Sequence, residues 1–186
     1  MAIPDEIKEM RDKAWDAHKR GDNLDAIKLY NELLKIDPNP GLVYSYRSAA
    51  YISLGEYEQA IADANEAIKR YPYYYAYNNR GAAYIGLENY EQAIKDCSDS
   101  IKRMGNRKYP LAYLNCGIAH YHLKNYEKAI SALNKAIEFI TKPRQSYFKE
   151  NLGDTLYYRG LAYEALGEMV KSQADFVKAK QLGYNK

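Results

Sequence analysis

The stretch Glu56-Tyr-Glu-Gln-Ala-Ile61 returns as Asn89-Tyr-Glu-Gln-Ala-Ile94 and again as Asn125-Tyr-Glu-Lys-Ala-Ile130. The first two copies lie 33 residues apart and the next two 36. Self-similarity at that period marks a stacked repeat protein, in which each unit buries its apolar face only against its neighbours.

Working outward from these copies, each repeat divides into two helical halves joined by a turn at Gly21, Gly55, Glu88, Lys124 or Gly167. The first half carries Met10, Tyr44, Tyr77, Tyr113 or Leu156, followed seven positions later by Ala17, Tyr51, Tyr84, His120 or Tyr163. Gly81, Gly117 and Gly160 stand between them and allow paired helices to approach closely. After the turn come Ala26, Ala60, Ala93, Ala129 and Ser172, then four positions on Tyr30, Ala64, Cys97, Leu133 and Phe176. Spacings of three, four and seven place these residues on one helical face. Pro38 and Pro72 are positioned to stop the second helix of their repeats.

This pattern resembles the tetratricopeptide repeat, a helix–turn–helix of about 34 residues. The resemblance implies an all-α, right-handed superhelical solenoid of five repeats forming one domain over residues 1–186. The repeats start near Ile7, Gly41, Tyr74, Pro110 and Gly153. An insertion, Thr141 to Asn151, precedes the fifth; its segment Gln145–Glu150, following Pro143, is a good helix former and is expected to lengthen the entry to the first helix of that repeat. Residues Ile27, Leu34, Ile61, Ile68, Ile94, Ile101, Ile130 and Ile137 are expected to face the following repeat. In the last helix, 168–182, these positions become Gln173 and Lys180, which predicts a polar cap and no further repeat.

Arg47, Arg80 and Arg159 occupy one repeat position, and Asp63, Asp96 and Asp175 stand sixteen residues later. Repeats one and four lack both, with Lys13 and Leu29, and Cys116 and Ala132. Co-occurrence predicts a bidentate contact between paired helices. The alternative, a phosphate-binding ladder, is opposed by a matching acid for each arginine.

A net charge of +3 argues against electrostatic capture of nucleic acid. No apolar run is long enough to span a membrane, and residues 1–10 lack a signal-peptide core, so a cytoplasmic location is expected. Cys97 and Cys116 fall at core positions and read as small hydrophobes; a redox pair is the alternative, because their helices are neighbours in the stack. His120 and His122, two apart on a helix, point to opposite sides and cannot chelate one metal. The chain carries no metal-site, phosphate-loop or nucleophile motif, so no cofactor, metal or catalytic residue is assigned.

Tyrosine occurs 21 times, and the repeat pattern accounts for ten. The resemblance implies that the first helices line a concave groove. The residues at its lining positions are Trp15, Tyr46, Tyr75, Asn78, Asn79, Asn115, Ile118, Tyr121, His122, Tyr157 and Tyr158. Tyrosine offers large contact area at low entropic cost, and asparagine can pair with a peptide backbone amide. This set predicts a non-catalytic scaffold or adaptor that binds a peptide segment or helix of another protein. The competing role for the tyrosines is to stack on one another and stiffen the array. A self-associating assembly subunit is the alternative function, and single-stranded nucleic acid stacked on the tyrosines is a third. The pattern is similar to co-chaperone adaptors that clamp the carboxylates of heat-shock-protein tails. Here the five clamp positions hold Lys8, Asp12, Tyr46, Tyr75 and Asn79. Only the first is retained, which argues against such tails.

Overall fold

The computed structural model describes residues 4–37, 39–105, 107–142 and 146–184, the side chains of Ser146 and Tyr147 excepted. Among the described residues it holds ten α-helices, one 3-10 helix and no strand. The chain divides into two compact bodies, Met1–Asn89 and Tyr90–Lys186. The boundary falls between the two helices of the third repeat.

The first body contains α1 (Asp5–Lys19), α2 (Asn23–Ile36), α3 (Gly41–Leu54), α4 (Tyr57–Arg70) and α5 (Tyr74–Gly86). Its core gathers Ile7, Ala14, Ala17, Ala26, Tyr30, Leu33, Val43 and Ala50. The second contains α6 (Tyr90–Met104), α7 (Pro110–His122), α8 (Tyr126–Ile140), a 3-10 helix over Ser146–Asn151, α9 (Leu152–Ala165) and α10 (Met169–Gln181). Its core is built from Leu114, Ala129, Leu133, Ala136 and Ala162. Alanine at so many core positions brings helix axes close, and glycine brings them closer. A Cβ added to Gly117 would lie 2.5 Å from Leu133 Cγ, and one on Gly160 would lie 2.7 Å from Phe176 Cε1. Those α7–α8 and α9–α10 contacts leave no room for a side chain.

The five turns that join the two helices of each repeat close in the same way. The amides of Asp22, Glu56, Asn89, Asn125 and Glu168 reach back to the carbonyls of Ala17, Tyr51, Tyr84, His120 and Tyr163 at 2.8–3.0 Å. This six-to-one bond needs a left-handed residue at the bend. Gly21, Gly55 and Gly167 supply it with φ of 86°, 78° and 77°, and Glu88 and Lys124 adopt it with φ of 58°.

Two expectations change, and a third, the lengthened entry to the fifth repeat, takes a specific form. The end of the insertion forms a 3-10 helix over Ser146–Asn151 that leads directly into α9 and lengthens its entry, and there Phe148 meets Tyr109 edge-on at 5.7 Å. Pro143, Gln145 and the stop assigned to Pro38 lie outside the described residues; α4 does end at Arg70, two residues before Pro72. The outer face of α10 is mixed rather than polar. Gln173 and Lys180 are exposed, but so are Met169, Val170 (86% exposed) and Val177. Finally, Cys97 and Cys116 are buried as core residues, but their sulfurs are joined in a disulfide between α6 and α7. The free-thiol reading is replaced by a covalent pair, as the alternative of two cysteines on neighbouring helices allowed.

Candidate protein-binding faces

In the first body, the groove positions lie on α1, α3 and α5. Trp15 stacks obliquely on Tyr46 with ring centroids 5.1 Å apart, and Tyr46 lies 6.2 Å from the buried ring of Tyr30. Tyr75 contacts Tyr74 at 4.0 Å and Tyr73 at 6.4 Å, and Tyr73 stacks on Tyr71 at 4.3 Å. Asn78 is buried. Asn79 is half-buried, and its Nδ2 donates to the Ser45 carbonyl at 2.8 Å, tying α5 to α3. Of the clamp positions, Lys8 is paired with Asp5 at 2.8 Å and Asp12 is exposed.

In the second body, α7 and α9 bring Tyr121, His122, Tyr157 and Tyr158 into one aromatic patch. Tyr121 and Tyr158 meet edge-on at 5.9 Å, and Tyr157 contacts Tyr158 at 5.7 Å. The exposed His122 lies flat on Tyr90, with centroids 4.5 Å apart and an interplanar angle of 3°. Burial raises the pKa of the Tyr121 hydroxyl, with neighbouring Tyr126 adding to it, and burial does the same for Tyr158 ahead of Asp154. Both phenols therefore stay neutral hydrogen-bonding groups around neutral pH. Ile118, Tyr121 and Tyr158 also pack on the core, and Asn115 is half-buried beside them on α7. The patch thus stiffens the body and presents ring edges at its surface.

Tyr184 was not among the residues anticipated for this patch. Its amide bonds to Ala179 O at 3.1 Å, Gly183 turns the chain with φ of 85°, and its ring packs on Tyr157 at 4.8 Å. A glycine followed by an aromatic residue after the last helix was the available signal, because such a residue folds back onto the helix it terminates. Arg11 was also missed: its guanidinium binds the buried Asp37 at the end of α2, with Nε 2.9 Å from Oδ2.

The structure brings Arg47 and Asp63 together through Nε–Oδ2 and Nη2–Oδ1 contacts of 2.7 and 2.6 Å. Arg159 and Asp175 meet with the same two distances. Each guanidinium also donates to an asparagine of the preceding repeat: Arg47 to Asn31 at 2.5 Å, Arg159 to Asn134 at 2.6 Å. Arg80 makes the equivalent bond to Asn65 at 2.6 Å. Its expected partner, the buried Asp96, belongs to the other body. Among the described residues no cluster of three metal-ligating side chains occurs, and no helix is long and apolar enough to cross a membrane.

Two profiles described as tetratricopeptide repeat match the chain, one over residues 11–75 and the other over 74–142. Together with ten helices paired through the same turn, they decide the family. The chain belongs to the tetratricopeptide repeat family. A similar stretch occurs in the yeast (Saccharomyces cerevisiae) small glutamine-rich tetratricopeptide repeat-containing protein 2, 39% identical over 80 residues, covering 39% of this chain and 23% of that protein. The chain spans less than a quarter of the length of the curated relatives it matches. Among solved structures, a thermophilic tetratricopeptide repeat protein of Thermus thermophilus superposes with a TM-score of 0.76 at 19% identity, covering 95% of this chain and 91% of that one. MamA from Desulfovibrio magneticus gives 0.71 at 20% identity, covering 98% and 97%. At such identities these two likenesses speak to the all-α repeat fold alone.

Proposed function

We propose that this tetratricopeptide repeat protein is a non-catalytic scaffold that binds a segment of a partner protein against the aromatic faces of its first helices. The observation that carries the reading is the patch of Tyr121, His122, Tyr157 and Tyr158, four aromatic side chains gathered on α7 and α9 where the repeat pattern requires none of them. The three half-buried tyrosine rings and the exposed His122, all held by their neighbours, lose little entropy on binding, and their polar edges can meet a peptide backbone. In the first body Trp15, Tyr46 and Tyr75 offer a comparable surface. The bond from Asn79 to Ser45 leaves one amide hydrogen and the carbonyl oxygen of that side chain for a ligand. Heat-shock-protein tails do not suit this surface, because Lys8 is already paired with Asp5 and Asp12 adds a negative charge. No cofactor is invoked, and the near-neutral net charge of +3 favours protein over nucleic acid.

The second reading is self-association. It is favoured by the exposed Met169, Val170 and Val177 on α10. Peptides selected from a displayed random library, titrated into the labelled chain, separate the two. The scaffold reading predicts amide shifts on α7 and α9 or on α1, α3 and α5, with affinity about micromolar because a flexible segment must be ordered. Combining Tyr121→Ala with Tyr158→Ala should weaken binding to the second body about tenfold or more. Shifts confined to second helices, or a dimer at micromolar concentration that Val170→Lys dissolves, would replace the scaffold with the assembly subunit.

A further inference from the structure

Four boundaries separate the five repeats, and three of them carry the same polar link. Arg47 reaches Asn31, Arg80 reaches Asn65 and Arg159 reaches Asn134, each from a first helix to the second helix of the preceding repeat. The three asparagines stand one residue after the shared core position occupied by Tyr30, Ala64 and Leu133. At the remaining boundary, between α6 and α7, every participant is different. The arginine position holds Cys116, the asparagine position holds Ser98, and the position of the arginine's own aspartate holds Ala132. Cys116 is bonded instead to Cys97, the residue immediately before Ser98, with Cα atoms 5.6 Å apart.

We propose that the Cys97–Cys116 disulfide is the covalent counterpart of the arginine link, and that stacking of α7 on α6 depends on its formation. Core packing alone does not account for both cysteines. A small apolar residue suits the Cys97 position, as Ala64 does in repeat two, but the Cys116 position holds arginine or lysine in every other repeat. Three polar partners are lost together at the boundary that gains the bond, so the substitution is of one link for another.

Bond formation removes two protons and two electrons from the thiols. The acceptor is the disulfide of a thiol–disulfide oxidoreductase: one cysteine thiolate attacks it to form a mixed disulfide, the second cysteine thiolate displaces the oxidoreductase sulfur, and the oxidoreductase leaves as a dithiol. Cys97 and Cys116 are 0% and 6% exposed and lie mid-helix in α6 and α7, remote from the helix N-termini that activate thiols. The bond is therefore set during folding and resists later exchange. Disulfides of this kind persist where thiols are kept oxidised, which runs against the cytoplasmic location expected from the sequence.

The test uses the full chain folded in a mixture of oxidised and reduced glutathione. Alkylation in denaturant followed by mass spectrometry should find no free thiol. Hydrogen exchange is then compared with chain refolded in a phosphine reductant. Amides of α6 and α7 should exchange about tenfold faster or more in the reduced form, while those flanking the Arg159–Asn134 link change little. Combining Cys97→Ala with Cys116→Ala should reproduce the fast exchange and abolish the response to reductant. A variant carrying Cys97→Ala, Ser98→Asn, Cys116→Arg and Ala132→Asp should restore slow exchange without it. Two alkylated thiols in the glutathione-folded chain, or equal exchange of α6 and α7 in both forms, would overturn the proposal. Should the fourfold variant not fold, the double alanine variant against the oxidised chain decides alone.

Discussion

Asn79 on α5 donates through Nδ2 to the backbone carbonyl of Ser45 on α3, 2.8 Å away and one repeat earlier. The acceptor is a carbonyl inside a continuous helix, so the bond is added to a ladder that is already complete. It holds the first helices of repeats two and three together on the side where Tyr46 and Tyr75 stand. Asn79→Ala should cost about 1 kcal/mol in chemical denaturation, the net value of one such bond. An unchanged midpoint would mean that the contact contributes nothing to the stacking.

The Arg47–Asp63 contact is bidentate and mostly enclosed, with side-chain exposures of 17% and 7%. Replacing one partner leaves the other desolvated and uncompensated. Arg47→Met or Asp63→Leu alone should each cost about 2–3 kcal/mol, and the double replacement less than the sum. A double-mutant cycle reads the difference; additive losses would show that the two side chains act independently.

Lys124 bends the α7–α8 turn at φ 58°, where three other repeats use glycine. A Cβ in this region is strained, whereas glycine is not. Lys124→Gly should therefore stabilise the second body by about 1 kcal/mol despite its added freedom in the unfolded chain. Loss of stability would mean that the Lys124 side chain makes contacts outweighing the strain.

His120 is half-buried, and its Nδ1 is enclosed without a hydrogen-bond partner. Burial, with help from Lys128, holds its pKa below the usual 6.5. A depressed imidazole pKa means that the unfolded chain binds the proton more readily. Its contribution to stability is full above 6.5 and declines as pH falls through that value toward the folded pKa. The melting temperature should drop by a few degrees between about pH 8 and about pH 5.5. His120→Tyr, which restores the residue of repeats two, three and five, should flatten that part of the profile. A profile unchanged by the substitution would assign the slope to other groups.

By itself the sequence determined the repeat, its helix pairs, its turns and most of its core. These follow from short-range periodicity: a side chain seven positions along a helix returns to the same face, whatever lies beyond. Glu88 and Lys124 were legible as turn residues because they align with glycines, although their own chemistry disfavours that conformation. The Arg–Asp partners could be read because they appear and disappear together within one chain. Other relationships were decided only by tertiary structure. Asn79 bonds across a repeat rather than simply facing outward, Tyr184 folds back onto Tyr157, and Arg11 finds Asp37 at the far end of α2. The exposed Val170 and Val177 lie beside Gln173 because a helix face is wider than the two positions that mark its stripe. Cys97 and Cys116 show the limit most clearly. Each looks like an ordinary small core residue in its own helix, and a covalent bond depends on the distance between two helices, which no periodicity within either one contains.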